Sequence, residues 1–243
     1  MLGRLLGLLL ASIPMHMMRV AGAELPGTQV SEAITLIENA KQNRDAGYFY
    51  RAEAQYRRAL EIVEQTSGAR SPDLTPALNG LAELYFGARR YTEAEALARR
   101  SAAVVEDGLG AGHPLLATAL HDLAAIYHAQ GQYAKAEPLY YRAVAIRETA
   151  LGPNHPFVAA TLANLAALEK AQGDYDRAAE HYAQAVRIRE EAFGTDDPRV
   201  AEARADYSAA LRRAGHNRRA DTAMGRSASV PIGASIAQTE TAQ

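Results

Sequence analysis

The side chains best placed for chemistry are His121, Asp122 and His128. A histidine beside an aspartate can move a proton. Two histidines seven residues apart lie on one face of a helix, two turns from each other. The set stops short of a centre, because two imidazoles without a third ligand make a poor metal site. No metal or other cofactor is expected. The chain carries no Gly-x-x-x-x-Gly-Lys-Ser/Thr loop, no His-Glu-x-x-His and no Gly-x-Ser-x-Gly. It has no cysteine, which excludes disulfides, thiolate ligands and cysteine nucleophiles. Its many acids follow the exposed faces of helical stretches. An enzyme would have to rest on His121, Asp122 and His128 alone, and a chain that is not an enzyme is expected.

The elements that position these residues follow from a repeat. Stepping by 42 residues links Phe49, Tyr91, Tyr133, Tyr175 and Asn217. Three places later stand Ala52, Ala94, Ala136, Ala178 and Ala220. Gly47, Gly131, Gly173 and Gly215 precede the aromatic by two, with Arg89 the exception. Gly68, Gly110, Gly152 and Gly194 form a further series, each followed four residues on by Pro72, Pro114, Pro156 or Pro198. Each cycle reads as two helices. Leu120, Leu123 and Tyr127 recur at helical spacing, and so do Ala136, Tyr140, Ala143 and Ile146. The first glycine series sits where a helix must stop with a positive φ. The proline opens the next helix, where its missing N–H is harmless. Ser71 and Asp197 stand before their prolines as capping residues, and His113 and His155 fill the same slot with poorer capping chemistry. Neither helix pair buries its apolar stripe alone, so pairs must stack. If position 89 is left-handed, Arg89 is strained there.

Of 243 residues, 48% are hydrophobic and 22% charged, the profile of a folded soluble protein. Lysine plus arginine is 26 against 28 acids, a net charge of −2. No basic excess points to nucleic acid, and no nucleic-acid partner is expected. Residues 1–23 have the layout of a secretory signal: Arg4, an uncharged run from Leu5 to Met15, and small residues at Ala21-Gly22-Ala23. That run is too short to span a bilayer. The expectation is cleavage near Ala23 and a periplasmic or secreted protein. A start at Met15, Met17 or Met18 would instead leave it cytoplasmic. The stretch 226–243, poor in large apolar residues, reads as a disordered tail.

Leu123-Ala124, Tyr127, Gly131, Tyr133, Ala136 and Tyr140 resemble the tetratricopeptide repeat. The 42-residue unit and its Leu-Gly-x-x-His-Pro linker are similar to the kinesin light chain class of that repeat. The resemblance implies an all-α, right-handed superhelical solenoid of antiparallel helix pairs over residues 29–225. Five repeats are expected, at about 29–68, 69–110, 111–152, 153–194 and 195–225, the first irregular at Asn39 and Gln42 and the last eroded. It further implies a protein-interaction scaffold whose first helices line a concave groove for a partner segment. By register the groove residues are Lys41, Arg44, Asn79, Glu83, Phe86, His121, Asp122, His128, Asn164, Lys170, Asp206, Arg212 and Arg213. Asn164 alone matches the asparagine that relatives use to pair with a bound backbone, an amide being both donor and acceptor. Gly80 and Asp122 replace it in the preceding repeats, and the full carboxylate-clamp set is absent. Tyr85 and Tyr127 read as core. The alternative is a structural self-assembler that docks on another copy through Tyr207 and Leu211 of the eroded repeat.

Overall fold

The computed structural model describes residues 26–224; the expected signal segment and the tail from 226 lie outside the described residues. The chain divides after Gln132 into two compact units. The first holds α1 (Pro26–Asp45), α2 (Phe49–Ser67), a 3-10 turn (Pro72–Leu74), α3 (Thr75–Gly87), α4 (Tyr91–Leu109) and α5 (Pro114–Ala129). The second holds α6 (Tyr133–Leu151), α7 (Pro156–Gln172), α8 (Tyr175–Phe193), α9 (Pro198–Arg213) and α10 (Asn217–Ala223). There is no strand among the described residues. The helices fall at the spacing of the repeat. The first begins at Pro26, three residues before the expected boundary, and Pro72 opens the 3-10 turn instead of α3 itself.

The landmarks locate the turns. Gly47, Gly131, Gly173 and Gly215 all have positive φ, and Arg89 adopts the same left-handed conformation at φ 59°. The second helices end on Gly68, Gly110 and Gly194, whose N–H groups bond back to the carbonyls of Glu64, Glu106 and Glu190. The four residues before the prolines all cap. Ser71 and Asp197 accept from Asp73 N and Arg199 N. The imidazole Nδ1 of His113 accepts from Leu115 N at 3.2 Å, and that of His155 from Phe157 N at 3.1 Å. Histidine thus fills the capping slot as serine and aspartate do, using a ring nitrogen where they use an oxygen.

In the first unit Tyr56, Leu74, Leu78 and Leu116 are fully buried, each side chain contributing about 2 kcal/mol relative to exposure. Ala52, Ala59, Ala94 and Ala98, also buried, let the helices approach closely. Gly80 takes this furthest. A Cβ there would lie 2.6 Å from the Tyr56 hydroxyl and closer still to its ring, so the tyrosine packs against bare backbone. In the second unit Ala185 and Ile188 of α8 cover Val158, Ala159 and Leu162 of α7. Ala178, Ala179 and Tyr182 meet Ala210, Leu211 and Ala220.

Polar clasps tie α2 to α3, α4 to α5 and α6 to α7. The Tyr85 hydroxyl of α3 donates to Glu53 of α2 at 2.7 Å and accepts from Arg57 at 2.8 Å. Burial first, and then the Glu53 carboxylate, push the Tyr85 phenol up. One repeat later Tyr127 of α5 meets Glu95 at 3.2 Å and Arg99 at 2.9 Å on α4. Tyr85 and Tyr127 are thus core residues with hydrogen-bonded hydroxyls, as expected. In the second unit the roles are exchanged: the tyrosine slot holds Glu169 on α7 and the arginine slot holds Tyr141 on α6. Glu169 is wholly buried and meets His181 Nδ1 at 2.7 Å, Arg177 at 3.0 Å and the Tyr141 hydroxyl at 3.4 Å. Arg177 also reaches Glu137 at 2.7 Å. A buried carboxylate is tolerable only with such partners.

Candidate interaction surface

In the first unit the first helices lie side by side, α1 against α3 and α3 against α5. Residues at matching register therefore fall on neighbouring helices. Glu83, Phe86, His121 and Asp122 converge on one cleft between α3 and α5, of about 150 Å³, floored by Ala82, Ala125 and Ile126. Phe86 is 37% exposed and stacks at a tilt on Tyr91, ring centres 5.6 Å apart. The cleft has an apolar floor, an exposed ring at one wall and carboxylates on its rim, which is the chemistry of a pocket for an apolar side chain. Arg44 on α1 pairs with Glu83 across the rim, and Lys41 is taken up by Glu38 at 2.9 Å within its own helix. Asn79 is half-buried on α3. His128 does not line the cleft; burial lowers its imidazole below the usual range. No group of three histidine, aspartate or glutamate side chains is placed to hold a metal ion among the described residues.

In the second unit Asn164 and Lys170 are half-buried on α7. The Lys170 ammonium sits 5.7 Å from the centre of the Tyr182 ring, a cation–π contact. Asp206 of α9 faces the same tyrosine: burial, and then this carboxylate, push the Tyr182 phenol up to about 12. Arg212 pairs with Asp221 at 3.0 Å. Arg213 lies over the Tyr175 ring at 5.3 Å and donates to its hydroxyl at 3.3 Å. Both arginines at the end of α9 are thus engaged with second helices. Sequence reasoning missed the Glu169 clasp. Its signal was an acid in a slot that held tyrosine in the two preceding repeats, with a histidine twelve residues on in the following helix.

The tetratricopeptide repeat model matches at residues 31–107, 75–149, 115–191 and 157–229. The chain belongs to the tetratricopeptide repeat family, whose repeats generally make a protein-interaction scaffold and are typically non-catalytic. Its structural neighbours are of the kinesin-light-chain-like kind. A Podosopora anserina protein of nearly identical TPR-like repeats, named for kinesin light chain, superposes with a TM-score of 0.71 at 24% identity, covering 84% of this chain and 94% of the other. BtubC (BKLC) from P. vanneervenii superposes with a TM-score of 0.69 at 21% identity, covering 90% and 100%. At these identities the likeness is one of fold. No curated protein matches the chain. Among the described residues no helix is long and apolar enough to cross a membrane.

Proposed function

We propose that this chain binds an extended segment of a partner protein along its first helices, making and breaking no bond. The carrying observation is the cleft in which Glu83, Phe86, His121 and Asp122 meet over an apolar floor. An apolar side chain of the partner seats against Phe86 and Ile126. In the second unit the Asn164 amide supplies a donor and an acceptor for the partner's backbone, with Lys170 beside it. Export fits the same reading, with the mature chain beginning after Ala23.

The test is a pull-down from the exported fraction, comparing the wild-type chain with Phe86→Ala and with Asn164→Ala plus Lys170→Ala. Partners retained by the wild type and lost from both variants are expected. Equal recovery by all three removes the groove reading. Sequencing the N-terminus of the purified protein tests export: a mature start near Glu24 is expected, and an intact Met1 in the cytoplasm refutes it.

A further inference from the structure

The last second helix is cut short. The helices α2, α4, α6 and α8 each run for 19 residues, whereas α10 starts in register and stops after 7. In the preceding hairpin, the later half of α8 covers the early half of α7. On α9 the matching surface has no such cover from α10. It opens as a trough of about 270 Å³ floored by Val186 of α8, Tyr207 of α9 and Ala223 at the end of α10. Tyr207 is only half-buried, although its counterpart Leu165 is fully buried.

The charges around this trough are one-sided. Arg204, in the slot of Leu162, is neutralised by Glu190 at 2.8 Å. Arg218 and Arg219 line the adjoining hollow with Tyr207 and Ala223. Both are exposed, and neither makes an ion pair among the described residues. By register, residues 224–235 would have to supply the missing turns. That stretch contains Pro231 and Gly233 and not one acid, so it neither favours a helix nor answers the two arginines.

We infer that the trough beside α9 and α10 is a second docking site, separate from the first-helix cleft, and that it takes an acidic amphipathic helix of a partner protein. The apolar stripe of that helix covers Tyr207, Val186 and Ala223, completing the hairpin that α10 leaves half-built. Its carboxylates pair with Arg218 and Arg219.

The test uses the full chain and a labelled peptide as long as the missing turns, with leucines at helical spacing on one face and glutamates on the other, read by fluorescence anisotropy. Saturable binding is expected. Arg218→Glu plus Arg219→Glu should weaken it about tenfold or more with the helical spectrum unchanged, and so should lysine in place of the peptide's glutamates. Phe86→Ala, which alters the cleft, should leave it unaltered, and this separates the two sites. Failure of the glutamate peptide to bind, equal binding of the lysine peptide, or indifference to the charge reversal overturns the proposal. Binding seen only after removal of residues 225–243 also overturns it, by assigning the trough to the chain's own tail. Dimerisation abolished by the same reversal overturns it by assigning the trough to a second copy.

Discussion

Single residues carry much of the local fit, and one of them does so under strain. Arg89 holds a left-handed turn that its sister positions give to glycine, with φ 59°. Arg89→Gly is expected to stabilise the protein by about 1 kcal/mol, seen as a higher urea midpoint; a lower midpoint would refute the assignment. This strain was legible in the sequence, because a period with one misfit letter names the misfit. The closeness of Tyr56 to Gly80 was not legible, since Gly80 stood in a slot otherwise read for partner contact. Gly80→Ala would drive a methyl into a fully buried ring and should cost about 1–3 kcal/mol. Combining it with Tyr56→Ala should cost less than the two single changes together. Strict additivity in that cycle would show that the ring and the glycine do not meet.

At the scale of the helix, the ends were easier to read than the joints. Helix ends depend on local rules, such as glycine with positive φ and proline at the first turn, and each cycle restated them. His113 and His155 were expected to cap less well because preference scales rank oxygen acceptors, whereas the fold needs only an acceptor at the right distance. Asp197 joins its cap to a fork of Arg199, with Nε and Nη2 each 2.8 Å from a carboxylate oxygen. The side-chain bond from Arg199, and then the backbone N–H, hold Asp197 down at about 2. A carboxylate depressed in the fold stabilises it above the unfolded value, and that contribution disappears as the pH falls through the folded one. The difference in thermal midpoint between wild type and Asp197→Ala should therefore be constant above about pH 4 and shrink toward pH 2. A difference that stays flat across that window would refute the assignment. The Glu169 clasp resisted prediction for a different reason: it joins three helices, and no helix taken alone reveals it.

Across the whole molecule, the two termini of the array are treated differently. In α1, Asn39 and Asn43 stand where later repeats have Leu81 and Tyr85, or Leu123 and Tyr127. The Asn43 amide is spent on Asn39 O at 3.0 Å and on Gln55 at 2.8 Å. A polar leading face of this kind keeps a repeat array from adding another copy, which weighs against self-assembly by end-to-end stacking. Asn39→Leu plus Asn43→Tyr should restore an adhesive face and produce concentration-dependent association in sedimentation. A variant that stays monomeric at all concentrations would show that the polar face is not what limits growth. The exchanged roles in the clasps also bear on how such a gene can change length. Excising residues 69–110 would present Glu53 and Arg57 with Tyr127, a phenol like the Tyr85 they already hold, but would also set Asp122 in the slot of Gly80, where the Tyr56 ring leaves no room for a Cβ. Excising 111–152 would set Glu95 and Arg99 in the places of Glu137 and Tyr141, so that Glu169 would exchange a phenol for a guanidinium, and recombination that shortens the chain by one unit is penalised at the first seam by the Tyr56 ring, not at the second by charge.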